Sequence, residues 1–250
     1  MTININRNSK LSKAALFPEL APQEVTITPK SWAGLRKTGI DPKPRTITRQ
    51  GNDSEVRVTT LSFHNIHEYG NLFTNYLKAR REVFIVHRGW VLPEVDGMEF
   101  DQYDTPLSRW IVLHEYGEVL AGIRLTPTTA QCAQYSYMIR DAQRGLLNGI
   151  PRDLLFLDAP VKDHVWEATR LFVSSRVSAK RRMRIQTILM LEMSRSARAL
   201  GVSYIIGIVP AIFHRWMKRI GMSAFPVGPI LEIDCDQTQA AMMDIRQSES

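Results

Sequence analysis

Five short motifs hold the charged and aromatic residues whose spacing could support chemistry in this chain. They are Arg80-x-x-x-Phe84, Trp90, Glu99-x-Asp101-x-x-Asp104, Gly122-Ile-Arg124-Leu-Thr-Pro-Thr128 and Trp166-Glu167-Ala-Thr169-Arg170. If the last is a buried strand, both Glu167 and Arg170 need partners, because an unpaired buried charge is costly. Taken singly, each motif has a plain structural meaning: arginine beside carboxylate is often a salt-bridge network, and Trp-Glu on a strand is often core beside edge. Other familiar sites are missing, since the sequence has no Gly-x-Gly-x-x-Gly after a strand, no P-loop, no Gly-x-Ser-x-Gly elbow and no His-Glu-x-x-His. Cys132 and Cys235 form no Cys-x-x-Cys and the histidines are scattered, so no metal site is expected. His87, His114 and His214 read as ordinary surface or half-buried residues. A separate basic run, Arg176, Lys180, Arg181, Arg182 and Arg184, lies just before an amphipathic segment. Positive charge at a helix start opposes the macrodipole, so the run is either a solvated face or a place for an anionic ligand.

The elements that must position these residues follow from periodicity and punctuation. Residues 64–84 place Ile66, Leu72, Phe73, Tyr76, Leu77, Val83 and Phe84 at helical spacing, which predicts one or two helices. Gly89 to Pro106 reads as a loop, and Arg109–Tyr116 with Glu118–Leu125 as a hairpin turning at Gly117. Residues 135–155 are broken by Gly145, Gly149 and Pro151 and remain ambiguous. His164–Val173 reads as a strand, with Val165, Glu167, Thr169 and Leu171 on one face and Trp166, Arg170 and Phe172 on the other. Residues 183–200 form the clearest helix, stopped by Gly201, followed by strand Tyr204–Val209, helix Ala211–Ile220 and strand Ile230–Ile233. That order predicts an α/β (α+β) layer fold with helices packed on a mainly antiparallel sheet.

Composition narrows the class. The chain has 250 residues, 44% hydrophobic and 23% charged, which is ordinary for a globular protein. Its +7 charge is uneven: residues 1–60 carry a net +5 and the other 190 only +2. A balanced body with a basic leader argues against nucleic-acid binding. Residues 1–55, with five prolines and little periodicity, read as an extension ordered in part at best, leaving 56–250 as the domain. No secretory signal is visible, and the longest apolar run, Tyr204 to Phe213, falls short of the ~20 residues that span a bilayer. A cytoplasmic protein with no membrane span is the expectation.

As an ordered set, the five motifs resemble the acyl-homoserine-lactone synthases, the autoinducer (LuxI-type) family, over residues ~63 to ~235. The family's fold is similar to that of the GNAT N-acyltransferases, which implies a mixed, mostly antiparallel sheet with helices on both faces. The resemblance implies acyl transfer from an acyl-acyl-carrier protein, or acyl-CoA, to S-adenosylmethionine (SAM). Closure to an N-acyl-homoserine lactone then releases methylthioadenosine, with SAM as substrate and no resident cofactor. Such chemistry needs a base for the ammonium, an oxyanion stabiliser, a pocket for a sulfonium and a tunnel for lipid. By resemblance Glu167 is the base, acting through water, with Thr169 and Arg170 beside it. Phe84 and Trp90 offer aromatic faces to the cation and adenine. Asp101 and Asp104, with Glu99, pair with Arg80, Arg124 and Arg170 and keep the cluster ionised. Carrier proteins are acidic, so the basic run at Arg176, Lys180, Arg181, Arg182 and Arg184 gains a second meaning as a docking patch.

Several positions depart from the family pattern. Thr169 stands for a serine and Leu171 for a phenylalanine. Gln143 stands where the family has a phenylalanine in the acyl-pocket wall. Gly207 stands where members preferring 3-oxo chains often carry threonine, which implies an unsubstituted or larger acyl group. Two other readings compete: an N-acyl amino acid synthase of the related GNAT-like group with a different amine acceptor, and a basic regulatory or nucleic-acid-binding module. Trp90, Phe84 and the acid triplet favour SAM over the former, and the balanced body charge speaks against the latter.

Overall fold

A computed structural model describes residues 45–47, 56–233 and 236–246. The extension expected over residues 1–55 lies outside the described residues apart from Arg45–Ile47, a short strand β1 paired antiparallel with β2 (Val56–Leu61). The expected hairpin is β5 (Arg109–Glu115) and β6 (Glu118–Pro127). Tyr116 and Gly117 both have positive φ, +49° and +82°, the geometry of a two-residue type I′ turn. The loop expected from Gly89 to Pro106 contains a second small hairpin, β3 (Glu94–Val95) and β4 (Met98–Glu99), turning at Asp96-Gly97. It delivers Glu99 to the interior.

The main sheet runs β1-β2-β5-β6-β7-β8-β10-β9, with β7 (Val165–Val173), β8 (Tyr204–Pro210), β9 (Ser223–Ile233) and β10 (Asp236–Asp244). Every pairing is antiparallel except β7 with β8, which pair only from Val165↔Tyr204 to Glu167↔Ile206. Both strands run on past that rung, so the ladder opens there. The sequence reading found only Ile230–Ile233 of the last two strands.

Helix α1 (Leu72–Arg81) runs into a wider π turn at Glu82–His87, and it buries Leu72, Tyr76, Leu77, Arg80 and Phe84 against one face of the sheet. Short helix α2 (Met138–Gln143), within the ambiguous stretch, lies on the same side. Helix α3 (Ala179–Ala199) covers the other face with Ile185, Leu189, Met190, Met193 and Ala197, packed on Trp166, Ile111 and Leu125. It starts four residues before the expected 183, so most of the basic run lies inside its first turns rather than ahead of it. Helix α4 (Phe213–Arg219) packs at its end through Phe213 and Met217. Helices thus cover both faces of a mostly antiparallel sheet, as expected. Among the described residues no helix is long and apolar enough to cross a membrane.

One expectation fails on β7. Arg170 has φ +55°, and the β6–β7 register shifts between Gly122↔Phe172 and Arg124↔Thr169. An extra residue in one strand breaks period-two alternation. Leu171 therefore packs on the α3 side with Trp166, while Phe172 joins Tyr76 and Phe84 on the opposite face. Arg170 joins Thr169 and the acids rather than Trp166.

Candidate active site

The bulge closes an ion cluster drawn from four parts of the chain. Arg80, on α1, forks onto both oxygens of Asp104 (2.7 and 3.0 Å), and its Nε donates to Glu99. Arg124, on β6, forks onto Asp101 (2.5 and 3.1 Å), lies 3.0 Å from Asp104, and donates from Nε to Thr169 Oγ1 at 3.0 Å. Arg170 donates to Glu99 Oε1 at 3.0 Å and to Asp101 Oδ2 at 2.8 Å. Arg80, Arg124, Glu99 and Asp104 are fully buried at their side chains, and Arg170 is 10% exposed. Bidentate arginine–carboxylate pairs of this kind are the strong form of charge-assisted bond. Burial disfavours charge on Asp101 and Asp104, but the guanidiniums overcome it and hold both below the usual carboxylate range. Trp110 Nε1 also donates to Asp104 at 3.0 Å.

Glu167 stands apart from these pairs. It is fully buried, on the last paired rung of β7 and β8. Among the described residues no guanidinium is hydrogen-bonded or ion-paired to it. Its oxygens accept from the backbone N–H groups of Met138 (3.0 Å) and Ile139 (2.7 Å), the free donors at the start of α2. Desolvation outweighs these bonds and pushes its carboxyl up to about 7. A carboxylate that titrates near neutrality is suited to general-base work.

The aromatic pair is in contact: Phe84 and Trp90 stack with centroids 5.1 Å apart at 15°. Arg170 lies over Phe84 (5.7 Å) and Arg88 over Trp90 (5.3 Å). Phe84 is buried and Trp90 partly exposed, so Trp90 carries the accessible ring.

The Gln143 amide donates to Leu157 O (3.0 Å) and its oxygen accepts from Ala159 N (2.8 Å), so it braces a crossing segment. At Gly207 a Cβ would lie 3.0 Å from Ala168 O, so the glycine allows a close approach of β8 to β7 at this point. In the basic run, Arg176 pairs with Glu118 (2.8 Å), Arg181 with Glu115 (2.9 Å), and Arg182 donates to Ser174 O (3.0 Å). These three tie the start of α3 to the sheet; Lys180 and Arg184 are exposed.

Tyr103 and Asp141 were missed by the sequence reading. Asp141 is a fully buried carboxylate that accepts from Tyr103 OH (3.1 Å), Ser136 N (2.8 Å) and Arg144 (3.0 Å). Tyr103 sits between two aspartates already singled out, but nothing local marked Asp141.

Residues 64–250 match the family model for autoinducer synthases. An acyl-homoserine-lactone synthase of Ralstonia nicotianae is 30% identical over 175 residues, 68% of this chain and 80% of that one. The crystal structure of the acyl-homoserine-lactone synthase LasI superposes with a TM-score of 0.64 at 22% identity, covering 78% of this chain and 92% of that one. That of a CoA-dependent acyl-homoserine lactone synthase, BjaI, with SAM and isopentyl-CoA, superposes at 0.60 and 23% identity, covering 75% and 82%. The architecture is thus that of the acyl-homoserine-lactone synthases.

Proposed function

We infer the reaction from one premise: this chain belongs to the autoinducer synthase family and is an acyltransferase of the acyl-homoserine-lactone synthase class. The amine of SAM attacks the carbonyl of an acyl thioester, forming the amide and releasing the thiol. The SAM carboxylate then attacks its own γ-carbon, the carbon–sulfonium bond breaks toward sulfur, and methylthioadenosine leaves. SAM is consumed as a substrate, and both reactants belong to the cytoplasm.

The observation that carries this reading is Glu167, a desolvated carboxyl at about 7 where the β7–β8 ladder opens, beside a balanced ion cluster. Arg80, Arg124 and Arg170 cancel Glu99, Asp101 and Asp104, so ionised Glu167 leaves the site one negative charge. SAM, with sulfonium, ammonium and carboxylate, carries one positive charge, and the two match. Glu167 takes the ammonium proton through water; without it the amine stays mostly protonated near neutrality. Thr169 accepts from Arg124 and keeps its own proton to donate toward the oxygen of the reacting carbonyl. Trp90 presents a ring to the cation or adenine, in the place where Arg88 now lies. Arg124 and Arg170 act through the acids they hold.

The donor is an acyl-acyl-carrier protein. Lys180 and Arg184 on α3 and Arg215, Lys218 and Arg219 on α4 are exposed, and Trp216 Nε1 meets Met183 Sδ (3.2 Å) where the two helices join. An acidic carrier fits this basic face. Mass spectrometry of extracts from a host making the protein should show a lactone-bearing lipid, and Glu167→Gln should remove it. Purified protein given both reactants should release thiol and methylthioadenosine together; release of neither would end the proposal.

A further inference from the structure

Helix α2 is only six residues long, far too short to hold its shape unaided, and two of its N–H groups are what Glu167 rests on. Something else must fix it. At one side Tyr137 OH donates to Pro160 O at 2.6 Å. At the other is Asp141, which draws in Ser136 N from the turn before the helix and Tyr103 OH from the loop that carries Asp101 and Asp104, the acid loop. Tyr103 lies between the two aspartates of the ion cluster, its own N–H bonds Asp101 Oδ1 at 2.8 Å, and Arg124 lies over its ring at 5.8 Å. A continuous set of contacts therefore runs from the cluster through Tyr103 and Asp141 into α2 and so to Glu167. Asp141 is fully buried and touches neither the cluster nor Glu167. Arg144 pairs with one of its oxygens at 3.0 Å, and the other accepts from both Ser136 N and Tyr103 OH, so the bonds that offset its burial are the ones that tie α2 to its surroundings.

We propose that Asp141 and Tyr103 are positioning residues that lock α2 to the acid loop, so that Glu167 and the SAM-facing ion cluster keep one fixed geometry. The catalytic meaning of this lock rests on the proposed reaction, whereas the lock itself can be read without turnover. Glu167 is faced by Arg124 from β6, Asp101 and Tyr103 from the acid loop, and Tyr137 with the two N–H donors from α2. Tyr103→Phe changes no charge and removes one hydroxyl. A looser α2 gives weaker N–H bonds to the ionised carboxylate, and its midpoint must rise.

The test is carboxyl carbon-13 NMR of labelled glutamate, with the Glu167 signal identified by its loss in Glu167→Gln. Tyr103→Phe should raise the midpoint by roughly half a unit. Tyr76→Phe, which deletes a buried hydroxyl with no partner among the described residues, should leave it in place. In both Tyr103→Phe and Asp141→Asn, the amide protons of Met138 and Ile139 should exchange about five- to tenfold faster. With turnover, kcat in Tyr103→Phe should fall several-fold at neutral pH while KM for SAM stays within about twofold, and the acid limb of the pH profile should move with the NMR midpoint. An unmoved midpoint with unchanged amide exchange overturns the proposal, as does an equal shift in Tyr76→Phe. Failure of wild-type turnover would count against the reaction alone, since midpoint and exchange still decide the lock.

Discussion

Among the single residues, Glu167 sets how stability responds to pH. Its folded midpoint, about 7, lies above the ordinary 4.5, so the folded state holds a proton that the unfolded state has already released between those values. Stability from this group is full below about 4.5, declines as pH rises to about 7, and is flat beyond. The whole step is on the order of 3 kcal/mol. Asp101 and Asp104 act in the opposite sense: their folded values are depressed, so their contribution is present above the ordinary carboxylate value and is lost as pH falls through the folded values. Comparing wild type with Glu167→Gln cancels the aspartates. The melting temperature of wild type minus that of the variant should fall between pH 4.5 and 7 and then level off. A difference that is constant across that window would show the carboxyl titrating normally. Arg124 gives a second test at this scale. Lysine cannot fork onto Asp101 and reach Thr169 at once, so Arg124→Lys leaves a buried carboxylate half paired. A loss of about 2–4 kcal/mol in denaturant unfolding is expected, with catalysis falling further.

At the scale of elements, two backbone devices build the site, and only part of either can be read from sequence. Helical spacing puts Tyr76, Arg80 and Phe84 on one face of α1 and its π turn, and the hairpin at Gly117 fixes Arg124 opposite β7, so those placements were legible. The bulge at Arg170 was not. A strand with one extra residue looks like any other in sequence, and period-two logic sends Arg170 to the wrong face. The Asp96-Gly97 turn was a signal passed over in a stretch read as loop. Strand β10 had little to show, because Gln237-Thr-Gln-Ala-Ala-Met-Met243 is poor in β-branched residues and is held by pairing on both sides with β8 and β9. Asp141 was illegible because all that makes it important is contact with residues brought in by the fold. The second device is the segment 154–159 that crosses beside α2, braced by Gln143 and by Phe156 N to Val227 O at 2.9 Å. Gly228 makes it possible: a Cβ there would fall 1.9 Å from Leu154 O, a backbone atom with no easy retreat. Gly228→Ala should therefore lift the segment and cost about 2–3 kcal/mol by thermal unfolding. It should also speed proteolysis between residues 152 and 157. Unchanged cleavage would mean the approach is looser than the contact implies.

For the whole molecule, the question is which surface meets the acyl donor. Net charge cannot answer it, since much of the excess lies in residues 1–60 and the rest of the chain is nearly balanced. Local pairing can. Arg176 and Arg181 are neutralised by Glu118 and Glu115, and Arg182 is turned to main-chain carbonyls, so reversing them tests stability more than docking. Arg181→Glu sets two acids together and should lower the melting temperature with any donor. Lys218 and Arg219 lie exposed on α4, near the α3–α4 contact at Trp216, and a carrier protein would meet them first. Charge on such a face acts mainly on encounter, through fields that are screened over about 8–10 Å at ordinary salt. Lys218→Glu with Arg219→Glu should raise KM for an acyl-carrier-protein donor roughly tenfold at low salt and leave kcat little changed. The wild-type advantage should shrink as salt rises toward 0.5 M. An acyl-CoA donor, with far less acidic surface, should lose much less in the same variant. Equal loss with both donors at every salt concentration would place the fault in the active site instead of on this face, and no loss with the carrier donor would move the docking surface elsewhere.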